Sequence, residues 1–226
     1  MREHYQQELN RLNDELYLLG NMVSIALRES VEALKSHNQE LATQIIVNDR
    51  LVNSKRYRIE EDCLILMATQ APMARDLRFL AGVMEIGSEL ERIGDYAKGI
   101  ARITQYIGRA PHVKPLTHIP QMCELSLDML RRSLDAFVNN DVNTARQIPR
   151  EDDRVDALYN TVNKELIDII VQDPRKVDNA NYLSWVAHNL ERSADRVTNI
   201  CERVIYTVTG ELIELDHLEP ELSGTN

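Results

Sequence analysis

The sequence predicts an all-α protein built as two tandem three-helix bundles related by internal duplication. Three observations carry this. Chain breakers are sparse: no Gly or Pro occurs from Asn21 to Ala71, from Gln121 to Ile148, or from Arg175 to Thr209. Apolar residues recur at steps of three, four and seven, while strand-type alternation is nowhere sustained. An acidic phrase also occurs twice, 100 residues apart: Leu90-Glu91-Arg92-Ile93-Gly94-Asp95 and Leu190-Glu191-Arg192-Ser193-Ala194-Asp195. Both copies place Glu and Asp one helical turn apart, so the chain divides into two related halves.

The first helix carries Leu9, Leu12, Leu16, Leu19, Val23 and Ala26 on one face. The second carries Ile45, Val52, Ile59 and Leu66, and the third Ile86, Ile93, Ile100 and Ile107. Stripes of this kind bury one face of each helix in a bundle. Ser36-His37-Asn38 separates the first two helices, with Asn38 a suitable N-cap, and Gln70-Ala71-Pro72 ends the second. The segment Gly108 to Pro120 holds three prolines and reads as a linker. In the second half, Asn139-Asn140-Asp141 mirrors the first turn and Asp173-Pro174 the second. Leu183, Ala187, Leu190, Ala194, Val197, Cys201, Val204 and Val208 then form an unbroken stripe. The predicted boundaries are 1–109 for the first bundle, 110–120 for the linker, 121–210 for the second bundle and 211–226 for a tail. Pro149 falls inside the fifth helix, where it either kinks the rod or forces a restart near Arg150.

The duplication extends beyond the acidic phrase. Ser30-Val31-Glu32-Ala33-Leu34 aligns with Ser133-Leu134-Asp135-Ala136-Phe137, and Asp49-Arg50-Leu51-Val52-Asn53 with Asp152-Asp153-Arg154-Val155-Asp156.

Composition limits the function. A formal net charge of -10 argues against a broad cationic face for nucleic acid or anionic lipid and suits cations or a basic protein surface. Cys63, Cys123 and Cys201 are far apart and odd in number, so buried free thiols in a reducing cytoplasm are expected. The N-terminal segment has no apolar run of the signal-peptide kind. No apolar stretch reaches the ~20 residues of a membrane span, so no direct membrane insertion is expected.

Position gives the acidic phrase its meaning. With 36 acidic residues, roughly six Glu/Asp pairs at this spacing arise by chance on solvated faces. A hairpin about Pro174-Arg175, however, sets Asp152 level with Thr198 and Asp156 level with Ala194, so both face Glu191, Asp195 and Asn199. A hairpin about Met73-Ala74 sets Asp49 level with Lys98 and Asn53 level with Gly94, beside Glu91 and Asp95. Glu191 and Asp195 each follow an apolar stripe residue by one position and so stand at the shoulder of the seam. Converging carboxylates repel unless something positive lies among them. Two readings stand together here. Either an oxygen-rich site holds a cation, or Arg92, Arg192, Arg50 and Arg154 satisfy the acids by ion pairing. Oxygen donors suit Mg, Ca, Mn or Fe over structural Zn. Gly82, Gly87, Gly94 and Gly99 in the third helix mark close packing or room for a ligand. Arg75, Asp76 and Arg78, at the start of that helix, form a candidate partner-binding end.

These phrases, with Ile59-Glu60-Glu61, Cys63-Leu64, Gln70-Ala71-Pro72-Met73-Ala74-Arg75-Asp76-Leu77-Arg78 and Asn189 through Ile200, resemble the PhoU family of phosphate-signalling proteins over nearly the whole chain. The resemblance implies two three-helix bundles and a homodimer. It implies a cytoplasmic accessory of the phosphate ABC transporter, touching its ATPase, which also represses a sensor histidine kinase when phosphate is ample. It further implies divalent or trivalent metal ions (Fe, Mg, Mn, Ca or Zn, with no choice among them) at Glu91, Asp95, Glu191 and Asp195. Asp49, Asn53, Asp152 and Asp156 would then be partners on neighbouring helices, and Asn199 would complete the second motif. The chain departs from the family at Gly99, Asn53 and Tyr96, so the first site is expected to be the weaker. An enzyme reading, a carboxylate-bridged di-metal oxidase, needs two Glu-x-x-His units; only Glu214 and His217 have that spacing, in the tail. A structural helical adaptor with inert acids is the third reading.

Overall fold

A computed structural model describes residues 2–215, and among these the regular elements are all helical. The first bundle consists of α1 (Arg2–Ser36), α2 (Gln39–Gln70) and α3 (Ala74–Ile107). The second consists of α4 (His118–Asn139), α5 (Val142–Gln147), α6 (Asp152–Gln172) and α7 (Val177–Thr209). A 3-10 turn, Ile148–Glu151, separates α5 from α6 and carries Pro149 in its opening positions. Proline lacks an N–H and clashes with the carbonyl four residues back, so the rod restarts at Asp152 rather than bending through. Tail residues 216–226, with His217, lie outside the described residues.

The duplicated turns have the same construction. His37 and Asn140 both adopt the left-handed conformation, each at φ 54°. The next residue caps the following helix. Asn38 accepts from the Leu41 N–H at 3.0 Å, and Asp141 from the Thr144 N–H at 3.1 Å. A short polar side chain here satisfies an N–H that has no partner within the helix. Ser30 and Ser133, both fully buried, donate to Leu27 and Leu130 carbonyls at 2.7 and 2.8 Å. Ser30 and Ser133, His37 and Asn140, and Asp49 and Asp152 are each 103 residues apart, so one register runs from α1 and α4 into α2 and α6.

The predicted stripes are buried. Leu12, Leu16, Leu19 and Val23 of α1 face Ile86, Ile93 and Ile100 of α3, and Leu183, Leu190 and Val197 line α7. Removing one such side chain costs about 2–5 kcal/mol through lost transfer energy and the cavity left behind. The three cysteines are free and buried. One apolar core spans both repeats, because like helices pack on like. Gly20 of α1 lies against Leu134 of α4. Along the α3–α7 seam, Gly82 meets Thr207, Glu85 meets Arg203, Glu89 meets Asn199, Gly99 meets Asn189 and Tyr106 stacks on Tyr182. Each step up α3 is matched by a step down α7, as a pseudo-two-fold axis requires. Close packing is therefore the role of Gly82, Gly94 and Gly99. A Cβ on Gly82 would collide with Thr207 Oγ1, and one on Gly94 or Gly99 would lie 3.2 Å from Val52 or Asn189. Gly87 has ordinary room.

The segment between the repeats is docked. His112 contacts the Leu34 carbonyl at 3.0 Å and stacks on His37 at 4.1 Å, and Lys114 pairs with Glu165. No described helix is long and apolar enough to cross a membrane.

Candidate functional site

Both acid motifs sit where the hairpins place them, on the flank of α3 and α7 next to fully buried Leu90 and Leu190. Their surroundings differ.

In the first repeat, α2 brings Asp49 and Asn53 to Glu91 and Asp95 on α3. Asp49 is only 7% exposed. Lys98, one turn beyond Asp95, places its Nζ 2.6 Å from Asp49 Oδ2 and 3.4 Å from Asp95 Oδ1. Asn53 donates its amide to the same Asp49 oxygen at 3.3 Å. Burial raises the Glu91 carboxyl above its ordinary range; Asp95 and Asp49 push it further, against the pull of Arg56 and Arg92. An ammonium thus already stands among these acids. Lys98 is a member of this site that the sequence-predicted set lacks; its charge and its height level with Asp49 are the signal for it. Asp49 Oδ1 and Asn53 Oδ1 are buried without a hydrogen-bond donor.

In the second repeat, Asp156 on α6 meets Glu191 and Asp195 on α7. Glu191 is pushed up to about 7, first by burial and then by Asp195 and Asp156, with Arg192 and Arg196 opposing. Asp156 is raised by burial, Asp195 and Asp153. Arg192 pairs with Asp195 at 2.6 Å, along the helix rather than across the hairpin. His188 Nδ1 stands 3.4 Å from Glu191 Oε2, outside hydrogen-bonding geometry, and that oxygen is buried without a donor. The position matching Lys98 is Thr198, which carries no charge. Asp152 opens α6 one turn before Asp156. Asn199 faces the other repeat, donating to Glu89 Oε2 at 3.1 Å, and Arg196 joins the same oxygen at 3.4 Å. Glu89 is thus a cross-repeat anchor that sequence reasoning missed; it lies one residue before Leu90 of the acidic phrase.

Of the four arginines expected to neutralise the acids, Arg192 pairs with a motif residue, whereas Arg92 reaches toward Glu89 at 4.0 Å. At the start of α3, Arg75 is exposed. Arg78 is half-buried, its guanidinium against Gly210 at the C-terminal end of α7. A cation is favoured there by the helix dipole. Asp76 lies near Tyr5, whose hydroxyl is raised by burial and by that charge.

Among the described residues, no three His, Cys, Asp or Glu side chains converge as a ready-made ion cage. The first cluster fits a metal poorly, because Lys98 already occupies the place of the positive charge. The donors of the second fit in kind: three hard-oxygen carboxylates, one with a buried bare oxygen, and no lysine among them.

The comparisons with known proteins agree with this architecture. The PhoU domain model matches residues 16–104 and 119–204. The phosphate-specific transport system accessory protein PhoU homologue of Streptococcus pneumoniae (serotype 4) is 34% identical over 216 residues, spanning 96% of this chain and 100% of that protein. The Aquifex aeolicus homologue is 33% identical over 213 residues, spanning 94% and 96%. The crystal structure of the phosphate transport system regulatory protein PhoU from Streptococcus pneumoniae matches with a TM-score of 0.87 at 34% identity, over 93% of this chain and 100% of that one. PhoU from Pseudomonas aeruginosa matches at 0.86 and 29% identity, over 92% and 100%. The family is regulatory rather than enzymatic, which sets the oxidase reading aside. By the extent of these matches and the duplicated helical architecture, this chain is a member of the PhoU family.

Proposed function

We propose that this protein is an accessory regulator of phosphate transport. In this reading it acts in the cytoplasm, as a homodimer, between the phosphate ABC transporter's ATPase and a sensor histidine kinase, and restrains signalling when phosphate is ample. Membership of the family supports the regulatory role, and the resemblance implies the partners. One observation carries the proposed control element. The two acid clusters occupy equivalent places, yet only the first contains a lysine, with Nζ 2.6 Å from Asp49.

Glu191, Asp195 and Asp156 would hold a divalent or trivalent cation in the second repeat, and a bound ion would supply the positive charge that Lys98 supplies in the first. The residues' own part is definite. Asp156 comes from α6 and the other two from α7, so neutralising their repulsion tightens that hairpin, which abuts α3 through the Glu89–Asn199 contact. Cation binding would thereby alter the shape offered to partners.

The test measures metal content and cation affinity of the purified protein by calorimetry. It also measures capture of the transporter ATPase and the kinase, with and without divalent cation. The expected result is one cation site per chain, abolished by Glu191→Gln with Asp195→Asn, with partner capture weakened in parallel. Absence of cation binding, with partner capture unchanged in the double variant, would leave an adaptor with inert acids.

A further inference from the structure

The segment between the repeats, residues 108–117, contains no helix or strand and is held down by side chains. His37, at the end of α1, and His112, within the segment, stack with ring centroids 4.1 Å apart and planes inclined by 17°. Each ring also meets a backbone carbonyl. His37 Nδ1 lies 3.2 Å from the Gly108 oxygen, and His112 Nε2 lies 3.0 Å from the Leu34 oxygen. A carbonyl only accepts, so both of these nitrogens carry a proton and donate it. In the neutral pair this leaves His112 Nδ1 bare, and that nitrogen is buried without a hydrogen-bond partner.

The second repeat provides an internal comparison. His37 corresponds to Asn140, and both adopt the left-handed conformation at φ 54°. Asparagine meets that backbone requirement without a ring, so the turn itself does not demand histidine. What His37 adds is the stack and the bond to Gly108, both directed at the inter-repeat segment. The surrounding charges leave His112 alone. Lys35 at the end of α1 pairs with Glu32 on exposed surface. Glu40, in the first turn of α2, and Arg109 are exposed. Glu165 of α6 is taken up by Lys114, with His118 of α4 3.6 Å away. Burial lowers the His112 imidazole below its ordinary 6.5, and the charge of His37 lowers it further, against the pull of the Leu34 carbonyl.

We infer that the His37–His112 stack is a proton-operated latch, holding the inter-repeat segment on the end of α1 while both rings are neutral and releasing it once His112 takes a second proton. That proton goes to Nδ1, where it has no acceptor and stands against a second imidazole. Turning the ring out into water satisfies the new N–H and separates the rings. Release breaks the bond to Leu34 and lifts Val113 and Leu116 from the core they pack against. The α3–α7 seam contains neither histidine and keeps the repeats together. The sign is fixed by the lowered proton affinity. Below 6.5 the released ring binds a proton that the docked ring refuses, so docking weakens as pH falls through that window. This assignment is independent of the cation reading, since it uses no residue of either acid cluster.

The experiment follows the full chain by NMR between about pH 7.5 and pH 5. Imidazole nitrogen shifts report the tautomer and protonation of His112. Hydrogen exchange, corrected for its own pH dependence, reports the protection of amides in residues 109–117. At the upper pH His112 should carry its proton on Nε2. As it titrates, protection of the segment should fall at least about tenfold while amides of α3 and α7 keep theirs. His112→Gln, which keeps a donor for Leu34 and takes no proton in this range, should hold the segment at every pH. His37→Asn, the second repeat's residue, removes the stack and should move release to higher pH. Should the glutamine fail to hold the segment at any pH, the shift in His37→Asn decides alone. Constant protection across the titration, protonation of His112 without release, or loss of protection throughout the chain at the same pH would each overturn the inference. So would a wild-type pH response in either variant.

Discussion

Lys98 Nζ lies 2.6 Å from Asp49 Oδ2 across the α2–α3 hairpin, and the matching position in α7 is Thr198. This substitution, together with Asn53 standing where the second repeat has Asp156, separates the two acid clusters. In the first, an ammonium on a side chain already fixed by folding neutralises a buried aspartate. In the second, Glu191 is left to respond by raising its proton affinity.

Lys98→Met should destabilise the protein by about 2–4 kcal/mol, because it strands Asp49 as an unpaired charge at 7% exposure. Adding Asp49→Asn should recover most of that loss. Urea denaturation of the two single variants and the double variant measures the coupling. Strict additivity would mean that the pair does not act as one unit.

Glu191 predicts a pH dependence of definite sign. Its folded value is about 7 against an ordinary 4.5, so between those values the folded chain keeps a proton that the unfolded chain releases. Stability therefore falls as pH rises through that window, and the penalty is complete above it. Glu191→Gln should stabilise the protein at pH 8 by about 1–2 kcal/mol, after allowing for solvent screening, and should have little effect near pH 4. Denaturant midpoints at the two pH values are the measurement. A gain of equal size at both would point to packing instead of charge.

The α3–α7 seam predicts steric coupling. Gly82→Ala should destabilise by about 1–2 kcal/mol even though alanine favours helix, because its Cβ meets Thr207 Oγ1. Thr207→Ala in the same chain should relieve the clash. Gly99→Ala meets the far end of the Asn189 side chain at 3.2 Å, which need give by only a few tenths of an ångström, and should be close to neutral. Thermal melts of the three variants rank these effects, and the reverse order would refute the packing account.

Asn38→Ala should cost about 1 kcal/mol by removing the cap on the Leu41 N–H. Asn38→Asp, which keeps the acceptor, should retain stability. Loss of stability in both would show that the amide N–H₂ of Asn38 matters rather than its oxygen.

Much of this molecule was legible in the linear chain. Helix-period stripes such as Leu12-Leu16-Leu19 and Ile86-Ile93-Ile100 determined that it would be helical and which faces would be buried, because 3.6-residue periodicity and apolar burial are local properties of a rod. The duplicated phrases determined that there would be two copies, with turns at His37-Asn38 and Asn140-Asp141. Hairpin geometry set Asp49 level with Lys98, since two antiparallel rods of fixed rise have only one height at which given residues meet.

Only the tertiary structure decided how the copies join. Packing α3 on α7 in antiparallel register turned Asn199 toward Glu89 and fitted Gly82 and Gly99 against the other repeat, contacts that depend on which faces meet and not on spacing along either helix. It also decided that Arg78 would lie against the end of α7 while Arg75 stayed in solvent, and that Lys98 would settle between two carboxylates. Side-chain charge can be read from a sequence; which opposite charge it reaches, and how much water remains around it, depends on the assembled fold.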